Sequence, residues 1–263
     1  MMDRTGMGST IMDQQTDTDA ADDTQPRGRR AQRRAFRRDE ILRTALELVT
    51  EGGIDAVTTT ELARRTGAAL GALYRFFPSK QAVIAALQVR ALEDLGIDLR
   101  AAVDVAVARA ADRPDRVRAL VPIITAADTF FAQPRLHPAR FRLIDEILSK
   151  PAPVYSDEEA HLLEDTVRPI LAVVGEAVAA HATVFGPRAP EARALPLVLW
   201  GALHGVSHFI KRDRLSTPDT PTSGEVAGVL VRTLLLGVGA TPAELDDAIA
   251  VCAPAALRMT QPG

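Results

Sequence analysis

Residues 57–87 read VTTTELARRTGAALGALYRFFPSKQAVIAAL. Punctuation divides this stretch into short helices. Thr58 followed three residues later by Glu61 predicts a capping box, in which the threonine hydroxyl accepts from the Glu61 N–H and the Glu61 carboxylate reaches back to the Thr58 N–H. Leu62 and Ala63 form the inward side of that helix, and Gly67 supplies a tight turn. A second helix follows over residues 69–77, burying Leu73 and Phe77. Pro78 ends it, and Ser79 caps a further helix carrying Val83, Ile84, Leu87 and Leu92. Upstream, residues 37–51 place Ile41, Ala45, Leu48 and Val49 on one helical face, widened by Leu42 and Leu46, until Gly52 and Gly53 stop the helix. Two short helices around a glycine turn predict a helix-turn-helix at residues 58–77, a motif whose second helix enters the major groove of DNA.

The spacing of this stretch resembles the DNA-binding domain of the tetracycline-repressor (TetR) family. That pattern opens helix two on threonine, places Leu-Ala within it and glycine at the turn, runs small-x-Leu-Tyr along helix three, and continues with phenylalanine, a short break and Ser-Lys. Thr58, Leu62, Ala63, Gly67, Gly71, Leu73, Tyr74, Phe77, Ser79 and Lys80 stand at those places. The resemblance implies an all-α protein: a helix-turn-helix domain over residues 37–95 and a helical effector-binding and dimerisation domain over residues 96–263. It also implies a sequence-specific transcriptional regulator, usually a repressor, released from a palindromic operator by a small molecule.

Each residue of the reading head has a chemistry to offer. The Thr58 hydroxyl, or the helix end it caps, can meet a phosphate. Lys80 opens its helix, where a cation opposes the helix dipole, and the resemblance implies DNA backbone as its partner. The Tyr74 phenol can donate to a phosphate while its ring packs. Helix three departs from the family pattern: Ala69 stands where a Ser or Thr cap is usual, Leu70 follows it, Ala72 holds the commonly hydroxylated position before Leu-Tyr, and Phe76 stands where the family often has histidine. Ala69, Leu70 and Ala72 can touch thymine methyls, and Gly71 permits close backbone approach, but only Arg75 and Thr60 remain to read base edges by hydrogen bonds. Arg64 and Arg65 suit either the C-terminal dipole of helix two or a phosphate.

Outward from the motif, residues 27–38 read RGRRAQRRAFRR, seven arginines in twelve positions. Such a run suits a polyanion or a solvated tail; its position before a helix-turn-helix favours DNA, with Arg37 and Arg38 among the contacts, and an arm of this kind can enter a minor groove. Residues 1–26 carry a net charge of −5 and predict a disordered acidic tail, whereas residues 27–80 carry +6. A single cysteine, Cys252, excludes an intrachain disulfide framework. No run reaches the ~18 apolar residues of a membrane span and no signal-peptide order opens the chain, so a cytoplasmic protein without membrane contact is expected.

Beyond residue 100, helices are predicted over residues 115–131, 138–149, 157–184, 191–212, 224–237 and 242–252, with Pro169 and Pro196 kinking or bounding two of them. Residues 195–210 and 225–239 are apolar almost all round. By resemblance they pair with a second copy, and Leu199, Leu203, His204, Val206, Val229, Val231 and Leu234 are the expected homodimer contacts. An effector pocket is expected among the middle helices, lined by Thr125, Thr129, Phe130, Phe141, Arg142 and Trp200, with Phe131, His137, Asp145 and Val173 as further candidates. His204 and His208 share a helix at i, i+4 spacing but have no carboxylate or thiol near them in sequence, so neither metal nor cofactor is expected. There is no phosphate loop, nucleophile elbow or HExxH, which argues against an enzyme. A second reading is a helical protein-interaction module whose DNA-reading surface has decayed.

Overall fold

The computed structural model describes residues 24–149, 156–185, 194–215, 217 and 219–260. It divides into two compact units, residues 1–41 and 42–263. All regular structure among the described residues is helical. Most of the predicted acidic tail lies outside the described residues.

In the first unit, residues 24–41 are helical and belong to helix α1 (Thr24–Gly52). The arginine run is therefore no extended arm, and residues 24–26, expected in the disordered tail, are its first turn. The reason is local: Arg, Ala and Gln are strong helix formers, and Pro26 sits in the first turn, where proline is tolerated. At ~100° per residue, Arg29, Arg30, Arg33, Arg34, Arg37 and Arg38 fall within about half of the helix circumference. All six are exposed, and Arg37 pairs with Glu40 at 2.6 Å.

The second unit begins with the remainder of α1, which stops at Gly52, before Gly53 at φ 78. A short 3-10 turn, Ile54–Ala56, leads into α2 (Thr59–Thr66). Thr58 caps α2 by accepting from the Glu61 N–H at 3.1 Å. The other half of the expected capping box is missing, because Arg64 and Arg65 both draw the Glu61 carboxylate toward themselves. Gly67, at φ 63, is left-handed and ends α2 with its N–H on the Ala63 carbonyl. Helix α3 is shorter than expected, Leu70–Tyr74. Ala69 offers no side chain to cap it, and Pro78 disfavours helical backbone at the residue before it, so residues 75–77 become a turn.

Ser79 caps α4 (Lys80–Arg109), accepting from the Ala82 N–H at 3.0 Å. The body follows as α5 (Asp115–Phe131), the short α6 (Gln133–Leu136), α7 (Pro138–Ser149), α8 (Asp157–Phe185) and α9 (Leu195–Ser207). A 3-10 segment, His208–Leu215, then leads to α10 (Ser223–Gly237) and α11 (Pro242–Thr260). Pro196 lies in the first turn of α9 and bounds it, while Pro169 lies inside α8. Helix α5 is the hub, packed against α4, α8, α9, α10 and α11. Leu120, Val121, Ile123, Ile124 and Phe131 along it are sealed from solvent, as a helix surrounded by others requires.

Gly67 and Gly71 separate two roles of glycine in the reading head. Gly67→Ala forces a β-carbon into left-handed backbone and should cost about 1–2 kcal/mol in denaturant unfolding. A β-carbon at Gly71 meets nothing within 4 Å. Gly71→Ala should therefore leave stability unchanged or raise it by up to about 1 kcal/mol.

Candidate nucleic-acid interface

Helices α2 and α3 pack on each other, with Leu62 and Leu73 buried and Phe77 buried after them, and most other side chains of α3 are exposed. Ala69, Leu70, Gly71, Tyr74 and Arg75 are exposed, and Ala72 is half-buried. Thr58 and Thr60 are exposed at the start of α2, and Lys80 is half-exposed at the start of α4. Neither Arg75 nor Lys80 takes part in a salt bridge among the described residues. The surface is thus apolar and small at its centre, with a phenol, a guanidinium and an ammonium around it.

Arg64 and Arg65 behave differently. Arg65 spans from Glu61 on its own helix to Glu51 at the end of α1, at 2.8 and 2.6 Å, and Arg64 holds Glu61 at 2.7 Å. These are bidentate guanidinium–carboxylate pairs bracing α2 against α1, which leaves Arg65 committed within the protein. The hydrogen bonds from Arg64 and then Arg65 hold the Glu61 carboxyl at about 2, and that from Arg65 lowers Glu51. Neither the helix dipole nor a phosphate is the chief partner of Arg65: Glu51, fourteen residues away in sequence, holds it from the end of α1.

Helix α7 ties this region to the body. Arg142, expected in an effector pocket, instead donates to the Val49 and Thr50 carbonyls at 3.0 and 3.4 Å, capping the C-terminal end of α1. Gln88 of α4 donates to the Leu143 carbonyl at 3.2 Å, and Arg140 reaches Asp94 and Asp98 of α4. Phe141 lies 5.8 Å from the His204 ring, centroid to centroid.

The other pocket candidates separate into two places. Phe130 and Trp200 line an apolar crevice among α4, α5, α8 and α9, together with Leu92, Leu95, Leu99, Ile170, Val174, Leu199 and Leu203. Its interior is about 40 Å³, room for a water or two, against roughly 300–1,000 Å³ for small-molecule sites. Thr125 and Thr129 belong to a different, more polar hollow beside Asp98, Gln133, His137 and Cys252. Among the remaining candidates, Phe131 and Val173 are buried core.

The expected dimer contacts need correction. Leu199, Leu203, His204 and Val231 are buried within a single chain, Leu203 to 1% and His204 to 7% exposure, so they pack its own core. Val206 and Leu234 are half-buried, and of the seven only Val229 is freely exposed, at 66%. The outward stripes are instead Leu197, Val198, Gly201, Gly205 and Phe209 on one side, and Val226, Val229 and Leu236 on the other. A helix apolar all round gives no signal in sequence for which side faces in.

Asp145 also sits where sequence did not place it. Its Oδ1 lies 2.9 Å from His204 Nε2 and 3.0 Å from His208 Nε2, so α7 delivers to the histidine pair the carboxylate that neighbouring sequence lacks. Burial pushes the His204 imidazole below its ordinary value, against the opposing pull of Asp145.

These features define a helix-turn-helix fold, an all-helical body carrying a short, largely exposed third helix. Residues 41–87 match the family of bacterial regulatory proteins of the tetR type. Solved structures share the wider fold. The regulatory protein SCO4313 is 24% identical, with 79% of this chain and 97% of that one covered, at a TM-score of 0.53. A tetR-family regulatory protein from Rhodococcus RHA1 is 20% identical, with 78% and 97% covered, at 0.53. FadR from Bacillus subtilis, a transcriptional regulator solved with stearoyl-CoA, is 12% identical, with 75% and 97% covered, at 0.54. A comparison with curated proteins finds no match. Residues 41–87 thus match the tetR-family model, and the chain shares the all-helical fold of these solved regulators. No helix among the described residues is long and apolar enough to cross a membrane.

The Glu61 network has an acid signature. Because the folded carboxyl titrates at about 2 rather than 4.5, its contribution to stability is complete above pH 4.5 and is lost as pH falls toward 2. Carboxyl carbon NMR should place the Glu61 midpoint near pH 2, and replacing both Arg64 and Arg65 by Gln should return it toward 4.5.

Proposed function

We propose that this chain is a homodimeric regulator that binds an operator in duplex DNA through α3 and is released by a small apolar effector. The observation that carries the reading is an outward α3 beside Arg75 and the half-exposed Lys80, neither of which joins a salt bridge among the described residues; the exposed arginines of residues 29–38, taken by themselves, add a charge suited to a polyanion. Duplex DNA presents one negative charge per ~1.7 Å of axis, and each phosphate neutralised releases counterions. Leu70 and Ala72 favour thymine methyls, Arg75 and Thr60 supply the hydrogen bonds, and Tyr74, Thr58 and Lys80 meet backbone. Such a head draws its affinity more from phosphates than from base edges. The basic face of α1, now helical, supplies a continuous strip for backbone rather than a thread for the minor groove.

Reading a palindrome requires two heads about one DNA turn apart, hence a dimer. The exposed apolar side chains of α9 and α10, Leu197, Val198, Val226 and Val229 among them, support its assembly through these helices. The apolar crevice along α4 supports an effector with a hydrocarbon portion, which would have to widen it to enter. A repressor acting in this way works in the cytoplasm, beside its DNA. The apolar centre of α3 is what an interaction module would also display, but such a module has no use for the cations around it.

Fluorescence titration with a DNA pool selected by the protein tests the reading. Plotted against salt on logarithmic axes, affinity should fall steeply, and replacing both Arg33 and Arg34 by Ala should flatten the slope by up to about 2, near 0.9 per lost phosphate contact. Loss of Arg75 and Lys80 together without effect on DNA affinity would sink the proposal. Leu197→Asp, at a position 60% exposed, should yield a folded monomer by light scattering. Leu203→Asp, in the core, should unfold the chain.

A further inference from the structure

The geometry assigns a binding site for a late first-row divalent cation, zinc or its neighbours, to Asp145, His204 and His208, where α7 meets the C-terminal end of α9. The three ligand atoms lie within 4.8 Å of one another, and the carboxylate oxygen is 2.9 and 3.0 Å from the two Nε2 atoms. Zinc with bonds of ~2.0–2.2 Å holds its ligands about 3.3 Å apart, so the cluster needs only small adjustments to close around an ion.

Three further observations favour a cation over a hydrogen-bonded trio. His204 is 7% exposed, and neither of its ring nitrogens makes a hydrogen bond of acceptable geometry, although Nε2 is so near the carboxylate. A buried ring nitrogen 2.9 Å from a carboxylate oxygen, with no acceptable hydrogen bond to it, is left open to a cation that both could bind. The two histidines stand one helical turn apart, His208 continuing the right-handed helical backbone beyond α9, so both rings project from one face. His208 remains half-exposed, which gives an ion a path in and leaves a coordination position to solvent. Two imidazole nitrogens and one carboxylate select zinc, cobalt or nickel over the oxygen-seeking magnesium and calcium.

Occupancy would fasten α9 to α7, and Arg142, one turn before Asp145, caps the end of α1 in the DNA-binding domain. The site stands on its own geometry; only this consequence, that the ion changes DNA affinity, rests on the regulator reading above.

Cobalt absorption titration of the full chain, followed by zinc displacement, tests the site. One cobalt per chain is expected, with visible bands that zinc abolishes. His208→Ala and Asp145→Asn, both at positions open enough to spare the fold, should each weaken binding by at least roughly tenfold to a hundredfold, the loss typical even of outer-shell partners. A wild-type chain that takes up no cobalt overturns the assignment. So does uptake that both variants retain, which would place the ion elsewhere. In parallel, DNA titrations with and without zinc should differ several-fold for wild type and not for His208→Ala. Zinc binding that leaves DNA affinity unmoved overturns the coupling. A chain that binds zinc but never DNA overturns the regulator reading and leaves the site intact.

Discussion

Helix α4, thirty residues without a proline, is the constraint on which the rest of the second unit depends. Ser79 caps it directly after the reading head, and Leu87, Leu92, Leu95 and Leu99 are buried farther along it. An unbroken helix transmits displacement because a sharp bend would cost backbone hydrogen bonds, and kinks need a cause such as proline or an inserted side chain. Whatever moves the crevice end of α4 therefore moves the end that leads into α3. The crevice lined by Leu92, Leu95 and Leu99 and the Ser79 cap that follows α3 thus lie along one continuous helix.

Helix α7 is a second, polar route between the same regions. In twelve residues it supplies Arg140 to the carboxylates of α4, Arg142 to the carbonyls ending α1, the Leu143 carbonyl to Gln88, and Asp145 to the histidines after α9. Directional bonds of this kind respond to small shifts in a way that the apolar packing of α5 does not. The arrangement joins the apolar hub of α5 to a set of directional polar contacts on α7.

The apolar centre of α3 gains a physical context from its surroundings. With Ala69 and Leu70 exposed and Ala72 half-buried, the proposed contact surface of α3 offers few hydrogen-bonding side chains, so under that reading most of its affinity comes from attraction to phosphates. Arg64 and Arg65 do not add to that attraction as their composition suggests, since Glu51 and Glu61 hold them in a brace that sets the angle of α2. Positive charge in a DNA-binding domain is thus divided between recognition and construction.

By itself the sequence determined what depends on neighbours along the chain. Thr58 and Ser79 as caps, Gly67 as left-handed turn, and helix boundaries at Asp115, Pro138 and Asp157 were all legible, because hydrogen bonds within a turn and backbone sterics are local. The family resemblance over residues 57–87 was legible for the same reason. Only the tertiary structure decided which side of α9 and α10 faces inward, since a helix apolar all round has no preferred face until its neighbours are in place. It also decided the partners of side chains distant in sequence: Glu51 for Arg65, the α1 carbonyls for Arg142, and Asp145 for His204 and His208. Long-range pairing depends on how helices cross, and crossing is set by the packing of the whole core rather than by any one segment.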